Sequence, residues 1–176
     1  MSKLDCRKIL FGEGNLTIED IVHVSQSKDP VALSEDKDFR HRIDAGVQFL
    51  DKILAEEGHI YGVTTGYGDS VMFEVPYNLV EELPMHLTRF HGCGLGDFFT
   101  PEQSRAILAT RLTSLTRGYS GVSWNLLDLL VELLNRDVLP VIPQEGSVGA
   151  SGDLTPLSYV AGTLIGERDT YYKGDI

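Results

Sequence analysis

An Ala-Ser-Gly triplet at residues 150 to 152 has the residue types needed to form an electrophile from the backbone itself. The amide nitrogen of Gly152 can attack the carbonyl carbon of Ala150 and close a five-membered ring, because small residues leave the approach open and glycine tolerates a tight backbone reversal. One water molecule is lost on cyclisation, and a second is lost with the Ser151 hydroxyl. The product has a methylidene group conjugated to the ring carbonyl. The product would be 4-methylidene-imidazol-5-one (MIO), a Michael acceptor of a kind that protein side chains do not provide.

The same residues also suit an ordinary loop in which a Ser or Asp caps the following helix. The longer stretch 144–157, QEGSVGASGDLTPL, resembles the signature of the aromatic amino acid ammonia-lyases, which comprise the histidine, phenylalanine and tyrosine lyases and related aminomutases. The resemblance implies that Ala150, Ser151 and Gly152 form MIO autocatalytically, without an external cofactor or metal. It also implies that Asp153 supports formation of the ring.

A second segment, YGVTTGYG at residues 61–68, is a loop with closely spaced glycines that suits close approach to a ligand or a flexible lid. A structural turn with a packed tyrosine is the alternative. The segment resembles the family loop Tyr-Gly-x-Asn/Thr-Thr-Gly-Phe-Gly, with Tyr67 where Phe is commoner. The resemblance implies that Tyr61 is the catalytic base and that Gly68 supports it. Because a phenol ordinarily titrates near pH ~10, such a base needs hydrogen-bond donors, cations or a helix N-terminus close to its oxygen.

The third segment, LPMHLTRFHGCGLG at residues 83–96, resembles the substrate-selectivity helix of the family and its glycine-rich turn. Histidine lyases tend to carry Ser-His there, tyrosine lyases His-Leu and phenylalanine lyases Phe-Leu, whereas this chain has Phe90-His91. The resemblance implies that both residues bind substrate, with Phe90 restricting the room. An imidazole at the second position favours a polar substrate side chain, so tyrosine and histidine both remain possible. Alternatively, His91 only stabilises the C-terminus of its helix.

Other histidines and the cysteines show no comparable context. We interpret His23, His41, His59 and His86 as surface or packing residues. Cys6 and Cys93 form neither a disulfide framework nor a metal-ligand spacing.

The elements that must position these segments are predicted to be mainly helices joined by glycine-rich loops, with at most short strands. Periodicity and prolines predict helices over 18–25, about 36 or 38 to 57, 77–91 with a break at Pro84, 101 to about 117, 124–136 and 155–165, and an extended segment over 138–143. Thr17 with Asp20, and Thr100 with Gln103, have the spacing of capping boxes, and Ser123 is expected to cap the helix that follows it. Pro156 is expected at the first position of the last helix, whose N-terminus would face the ring carbonyl. The basic residues of the stretch 105–122 are expected on a solvated or subunit-facing surface.

Length and composition predict one soluble, globular domain. The chain has 176 residues, of which 42% are hydrophobic and 23% charged, and its net charge of -11 argues against nucleic-acid binding. The sequence contains no long apolar run or signal-like N-terminus, so we expect a cytoplasmic protein that does not bind a membrane.

The resemblance covers nearly the whole chain, but family members continue much further. We therefore expect residues 1–176 to be a single N-terminal domain of the ammonia-lyase-type, fumarase/aspartase-like helical fold, with the C-terminal helical bundle absent beyond Ile176. Family members are homotetramers whose active sites combine several subunits. The implied partners are thus an aromatic amino acid, the C-terminal part of the protein and further copies of it.

The resemblance implies elimination of ammonia. The substrate amine, or its aromatic ring, adds to the methylidene and Tyr61 removes a β-proton, which gives an α,β-unsaturated acid such as urocanate or coumarate. An aminomutase with the same ring is an alternative. A non-catalytic folding or interaction module with an uncyclised triplet is an alternative of a different class, and the fragment alone is expected to be inactive.

Overall fold

The computed structural model describes residues 8–56, 58–149 and 152–176. Six α-helices dominate this part of the chain: α1 (Ile18–Gln26), α2 (Lys37–Glu56), α3 (Leu83–His91), α4 (Pro101–Leu115), α5 (Trp124–Arg136) and α6 (Leu154–Leu164). Two 3-10 helices, Gly68–Met72 and Tyr77–Leu79, lie between α2 and α3. The predicted, mainly helical class is confirmed. Predictions that involve Cys6, Glu57, Ala150 or Ser151 fall outside the described residues.

Local capping explains where α1 and α4 begin. The Thr17 hydroxyl accepts from the Asp20 amide (3.2 Å), and the Asp20 carboxylate accepts from the Thr17 amide (2.9 Å). Thr100 and Gln103 form the same reciprocal pair, with distances of 3.3 and 2.9 Å. Such a capping box satisfies backbone donors that the first helical turn leaves without partners. Both boxes were predicted from the sequence.

Prolines lie in the first turn of two helices, α3 and α6. The break at Pro84 agrees with the prediction, whereas the start of α6 differs from it. The helix predicted over 77–91 is interrupted, and α3 begins at Leu83, so that Pro84 lies in the first turn, where its missing amide hydrogen costs nothing. Helix α6 begins at Leu154, one residue earlier than predicted, and Asp153 is its N-cap in a left-handed conformation. Pro156 is therefore the third helical residue rather than the first, still within the turn that needs no intrahelical donor.

Within the described ranges, the strands form three two-stranded sheets. β1 (Ile9–Phe11) pairs in parallel with β2 (Val31–Leu33), with Ile9 opposite Val31. β3 (Leu95–Phe98) pairs antiparallel with β5 (Pro143–Glu145), and β4 (Val138–Pro140) pairs antiparallel with β6 (Thr170–Tyr172). The predicted extended segment is thus divided between two sheets. The β3–β5 pair brings the turn after α3 next to the segment that leads into the triplet.

The hydrophobic core lies around α4 and α5. Leu108 and Leu112 of α4 and Leu127 and Leu134 of α5 are fully buried. Their spacing of four and seven residues places each pair on one face of its helix, which explains why these faces pack together.

One basic residue corrects the sequence interpretation. Arg105 on α4 was assigned to a solvated or subunit-facing surface, but only 4% of it is exposed. Its guanidinium donates to the carbonyl oxygens of Val24 (2.7 Å) and Leu134 (2.5 Å), and it lies 3.6 Å from the Asp137 carboxylate. Burial lowers the pKa of Arg105 below the usual value of a guanidinium, and the Asp137 charge opposes that shift. The carbonyls come from the C-terminal turns of α1 and α5, where helices leave acceptors without intrahelical partners.

Across the described ranges, no helix is both long and apolar enough to cross a membrane.

Candidate active site

The segments on both sides of Ala150 and Ser151 have a sharply turned backbone. Gly149 (φ 72°) and Gly152 (φ 68°) are left-handed, and so is Asp153 (φ 55°). A Cβ added to either glycine would meet no atom within 4 Å, so backbone conformation rather than crowding requires glycine there. The Ser147 hydroxyl donates to the Asp153 carboxylate and closes the loop across the triplet. The surroundings of Gly152 are therefore open enough to admit a ligand.

Two cavities share Gly152. The first, of about 320 Å³, lies between α3 and α6 and is lined by His91 as well as Gly152. The second, of about 530 Å³, is lined by Ser147 and Asp153 together with Gly152. Apolar side chains form most of both walls, among them Leu157, which lines both. The fold thus brings two predicted site residues, His91 and Gly152, to one cavity.

His91 has one ring nitrogen fixed by its own helix. The imidazole is partly buried, and its Nδ1 lies 3.1 Å from the Leu87 carbonyl oxygen. Because a carbonyl oxygen can only accept, Nδ1 carries the hydrogen in this contact. In the neutral ring the other nitrogen, Nε2, is then an acceptor. His91 also lies in the last turn of α3, which agrees with the alternative interpretation that it stabilises the C-terminus of this helix.

Phe90 lies apart from both cavities. It is 79% exposed, and its ring contacts the edge of the His91 ring at a centroid distance of 5.1 Å. Its predicted role in restricting the substrate stays a prediction.

The loop that carries Tyr61 is fixed by its own hydrogen bonds. The Tyr61 hydroxyl accepts from the Gly68 amide (3.0 Å), and the Tyr67 hydroxyl donates to the Gly62 carbonyl (2.8 Å). The two tyrosine rings meet edge to face, 6.0 Å apart. Partial burial, and then the nearby Tyr61, raise the pKa of Tyr67 above its usual 10.0, so Tyr67 retains its proton.

Two threonines hold this loop, and the sequence analysis did not single them out. The buried Thr64 hydroxyl accepts from the Ile60 amide (2.8 Å), and the buried Thr65 hydroxyl accepts from the Gly62 amide (3.2 Å). The available signal was a Thr-Thr pair between glycines, since Thr hydroxyls commonly bond to nearby backbone in turns. Tyr61 itself remains 62% exposed.

Within the described part of the chain, Tyr61 and Gly152 share neither a hydrogen bond nor one of the two cavities described above. Tyr61 lines neither of the two cavities, and among the described residues no hydrogen bond links it to His91 or to the segments 144–149 and 152–157. The same part of the chain contains no cluster of three or more His, Cys, Asp or Glu residues that could hold a metal ion.

The fold is shared with ammonia-lyases and related enzymes. Ergothionase from Treponema denticola, described as an ergothioneine-degrading enzyme, superposes with a TM-score of 0.88 at 30% identity, over 96% of this chain and 33% of that one. Tyrosine aminomutase from Streptomyces globisporus gives a TM-score of 0.87 at 33% identity, over 96% of this chain and 31% of that one.

The chain belongs to the aromatic amino acid lyase family, whose model matches residues 16–176. Histidine ammonia-lyase of Alkaliphilus oremlandii is 38% identical over 168 residues, which are 96% of this chain and 33% of that protein. The chain therefore spans about a third of the length of the curated relatives it matches.

Proposed function

We propose that the complete protein is an ammonia-lyase that converts an aromatic L-amino acid into an α,β-unsaturated acid. The observation that carries the proposal is the apolar cavity shared by His91 and Gly152, directly at the start of α6. Membership of the aromatic amino acid lyase family supports it. In this proposal residues 1–176 are the N-terminal domain of a cytoplasmic homotetramer.

The residues around the triplet fit MIO. Gly149 and Gly152 are both left-handed, and an added Cβ at either would meet no atom within 4 Å, so the ring and a ligand beside it have room. When formed from Ala150, Ser151 and Gly152, the group supplies an electrophile. Asp153, hydrogen-bonded to Ser147, holds the loop on the C-terminal side. In this proposal the N-terminus of α6, which begins two residues after Gly152, favours negative charge on the ring carbonyl.

Tyr61 is the proposed base that accepts the β-proton. The Gly68 amide donates to its phenolic oxygen, and Tyr67 keeps its own proton and leaves Tyr61 as the acceptor. Because Tyr61 lines neither cavity of this chain, the complete active site needs Tyr61 from another copy or walls from further chain. In the tetramer implied by the family resemblance, another copy supplies Tyr61, or the C-terminal part of the protein supplies the walls.

His91 favours a substrate with a hydrogen-bonding side chain. With Nδ1 held by the Leu87 carbonyl, the neutral Nε2 can accept from the N–H of an imidazole or the O–H of a phenol. Phenylalanine offers neither donor and would leave this nitrogen unpaired, at a cost of ~1–3 kcal/mol in a buried site. We therefore expect histidine or tyrosine as the substrate, and the curated relative named above supports histidine.

An aminomutase is the second candidate, favoured by the similarity to tyrosine aminomutase. It would share the electrophile and return the amine to the β-carbon. Product analysis separates the two, since a β-amino acid appears only with the aminomutase.

The test is intact mass and ultraviolet absorbance of the full-length protein, with histidine, tyrosine and phenylalanine assayed side by side. We expect the wild-type mass to be lower than the sequence mass by two water molecules. Ser151→Ala should lose the mass difference, the absorbance and the activity together. Ser25→Ala is the matched control, because the exposed Ser25 hydroxyl bonds only to the Val22 carbonyl within its own helix. An unshifted wild-type mass would instead support the non-catalytic module, and full activity in Ser151→Ala would exclude the proposed electrophile.

A further inference from the structure

The turn that follows His91 is held at two backbone positions by residues distant in the sequence. Arg168 Nη2 donates to the Gly92 carbonyl oxygen (3.1 Å). The Gly94 amide donates to the Tyr159 hydroxyl oxygen (3.2 Å). Tyr159 belongs to α6, and Arg168 follows that helix by four residues. The end of α3 is therefore tied to α6 by hydrogen bonds on both sides of Cys93.

Arg168 lies in a slot that only glycines leave open. A Cβ added at Gly92 would lie 1.8 Å from the Arg168 guanidinium, and one added at Gly162 would lie 2.3 Å from Arg168 Cγ. The guanidinium carbon is 4.7 Å from the centre of the Tyr159 ring, within the range of a cation–π contact. One tyrosine thus both packs against Arg168 and hydrogen-bonds to the turn. We call Tyr159 and Arg168, with their contacts to Gly92 and Gly94, the turn clamp.

The turn clamp adjoins residues that line the cavity, because His91 precedes Gly92 and Ser158 and Val160 flank Tyr159. Gly92 directly follows His91, whose imidazole lines the cavity between α3 and α6. Gly152, two residues before the start of α6, lines the same cavity. Fixing the turn against α6 therefore fixes the His91 ring relative to Gly152. Only a rigid link of this kind keeps a binding group within the fraction of an ångström that catalysis requires.

The nearby contact between Arg89 and Glu167 is not expected to fix the turn after α3 in place of the turn clamp. Arg89 and Glu167 also join α3 to the segment after α6, through hydrogen bonds between their charged groups. The Arg89 side chain is 52% exposed and that of Glu167 is 33% exposed, so solvent weakens the attraction between their charges. Tyr159, by contrast, is only 8% exposed.

We propose that Tyr159 and Arg168 are positioning residues that set the place of the His91 imidazole and thereby the choice between aromatic amino acids. The proposal rests on the ammonia-lyase function proposed above. It assigns neither residue a direct contact with the reacting atoms.

The test compares Tyr159→Phe with Tyr171→Phe in the full-length protein. The two tyrosines are equally exposed, at 8%, and each hydroxyl has one backbone partner, Gly94 for Tyr159 and the Phe99 carbonyl for Tyr171. The first readout is the ratio of kcat/KM for histidine to kcat/KM for tyrosine. We expect this ratio to change at least fivefold in Tyr159→Phe and in Arg168→Gln, and to stay within twofold of wild type in Tyr171→Phe.

The second readout does not depend on catalysis. Acylation of histidines by diethyl pyrocarbonate, followed by peptide mass mapping, gives the rate at His91 relative to the exposed His86 on the same helix. We expect Tyr159→Phe and Arg168→Gln to raise the relative rate at His91 several-fold, and Tyr171→Phe to leave it unchanged. Equal behaviour of Tyr159→Phe and Tyr171→Phe in the acylation rates would overturn the turn clamp. A wild-type protein without lyase activity but with the expected acylation rates would instead refute the proposed function alone.

Discussion

The phenolic oxygen of Tyr61 accepts a hydrogen bond from the amide of Gly68, with 3.0 Å between oxygen and nitrogen. Gly68 adopts φ 54°, a left-handed conformation in which an L side chain is strained. The glycine is therefore needed to direct its amide at the phenol. The two residues assigned to the base from sequence resemblance are thus in direct contact.

Replacing Tyr61 by Phe should lower kcat by about 10²- to 10⁴-fold, the usual loss when a general base is removed. Tyr67→Phe is the matched control in the same loop. Because the Tyr67 hydroxyl is a protonated donor to the Gly62 carbonyl, its loss should change kcat only a few-fold. Steady-state kinetics of the full-length variants measure both effects, and retained ultraviolet absorbance shows that the electrophile is intact.

The contrast between the two variants decides the assignment. A Tyr61→Phe enzyme with wild-type turnover would place the base elsewhere. A large loss in Tyr67→Phe with little loss in Tyr61→Phe would exchange the roles of the two tyrosines.

Replacing the buried Arg105 by Ala should lower the free energy of unfolding by about 3–5 kcal/mol, the range for breaking a buried charged contact. The variant leaves the buried Val24 and Leu134 carbonyls without their guanidinium partner. It also removes one cation from the Asp137 carboxylate, which keeps its contact with Lys28 (2.8 Å). Urea unfolding followed by circular dichroism measures the change.

Arg136→Ala is the control for Arg105→Ala. Its exposed guanidinium pairs with Glu132 one turn earlier in α5, a contact expected to contribute about 0.3–0.5 kcal/mol. Similar losses in the two variants would mean that Arg105 stabilises the fold no more than a surface arginine.

The features that the sequence predicted correctly are local. The Thr17–Asp20 and Thr100–Gln103 pairs need only the residues of one helical turn, so spacing alone predicts them. The interruption before α3 likewise follows from Pro84, which has no amide hydrogen to donate and whose ring would clash with a preceding helical turn.

The features that it missed depend on packing between distant segments. Arg105 is buried because the ends of α1 and α5 present carbonyls to it, which no pattern within α4 indicates. The cavity common to His91 and Gly152 exists because α3 packs on α6. Motif resemblance identified both residues, but their proximity requires the tertiary structure.

The contact between Arg89 and Glu167 predicts a pH-dependent contribution to stability. The Arg89 guanidinium, by hydrogen bonding and by its charge, holds the pKa of Glu167 below its usual 4.5, although desolvation opposes the shift. A carboxyl whose pKa is lowered on folding stabilises the native state above the unfolded pKa, and this stabilisation disappears as the pH falls through the lowered value. The Tm difference between wild type and Glu167→Gln should therefore be constant from pH ~7 to ~5 and vanish in more acidic solution.

Arg89→Gln should show the same pH dependence relative to wild type, because it removes the other partner of the pair. A Tm difference that persists unchanged into strongly acidic solution would show that Glu167 acts by packing rather than by its charge.

Gly162→Ala should reverse the ordinary effect of replacing a helical glycine. Alanine in a helix interior normally stabilises by about 0.5–1 kcal/mol relative to glycine. In α6, however, the added methyl would lie 2.3 Å from Arg168 Cγ, so the variant should be destabilised, by ~1–3 kcal/mol for an overpacked site.

In an Arg168→Ala background the collision is gone, and the same substitution should stabilise. Urea unfolding of the four proteins gives the coupling energy directly. Stabilisation by Gly162→Ala alone, or the same effect in both backgrounds, would contradict the packing of Arg168 against Gly162.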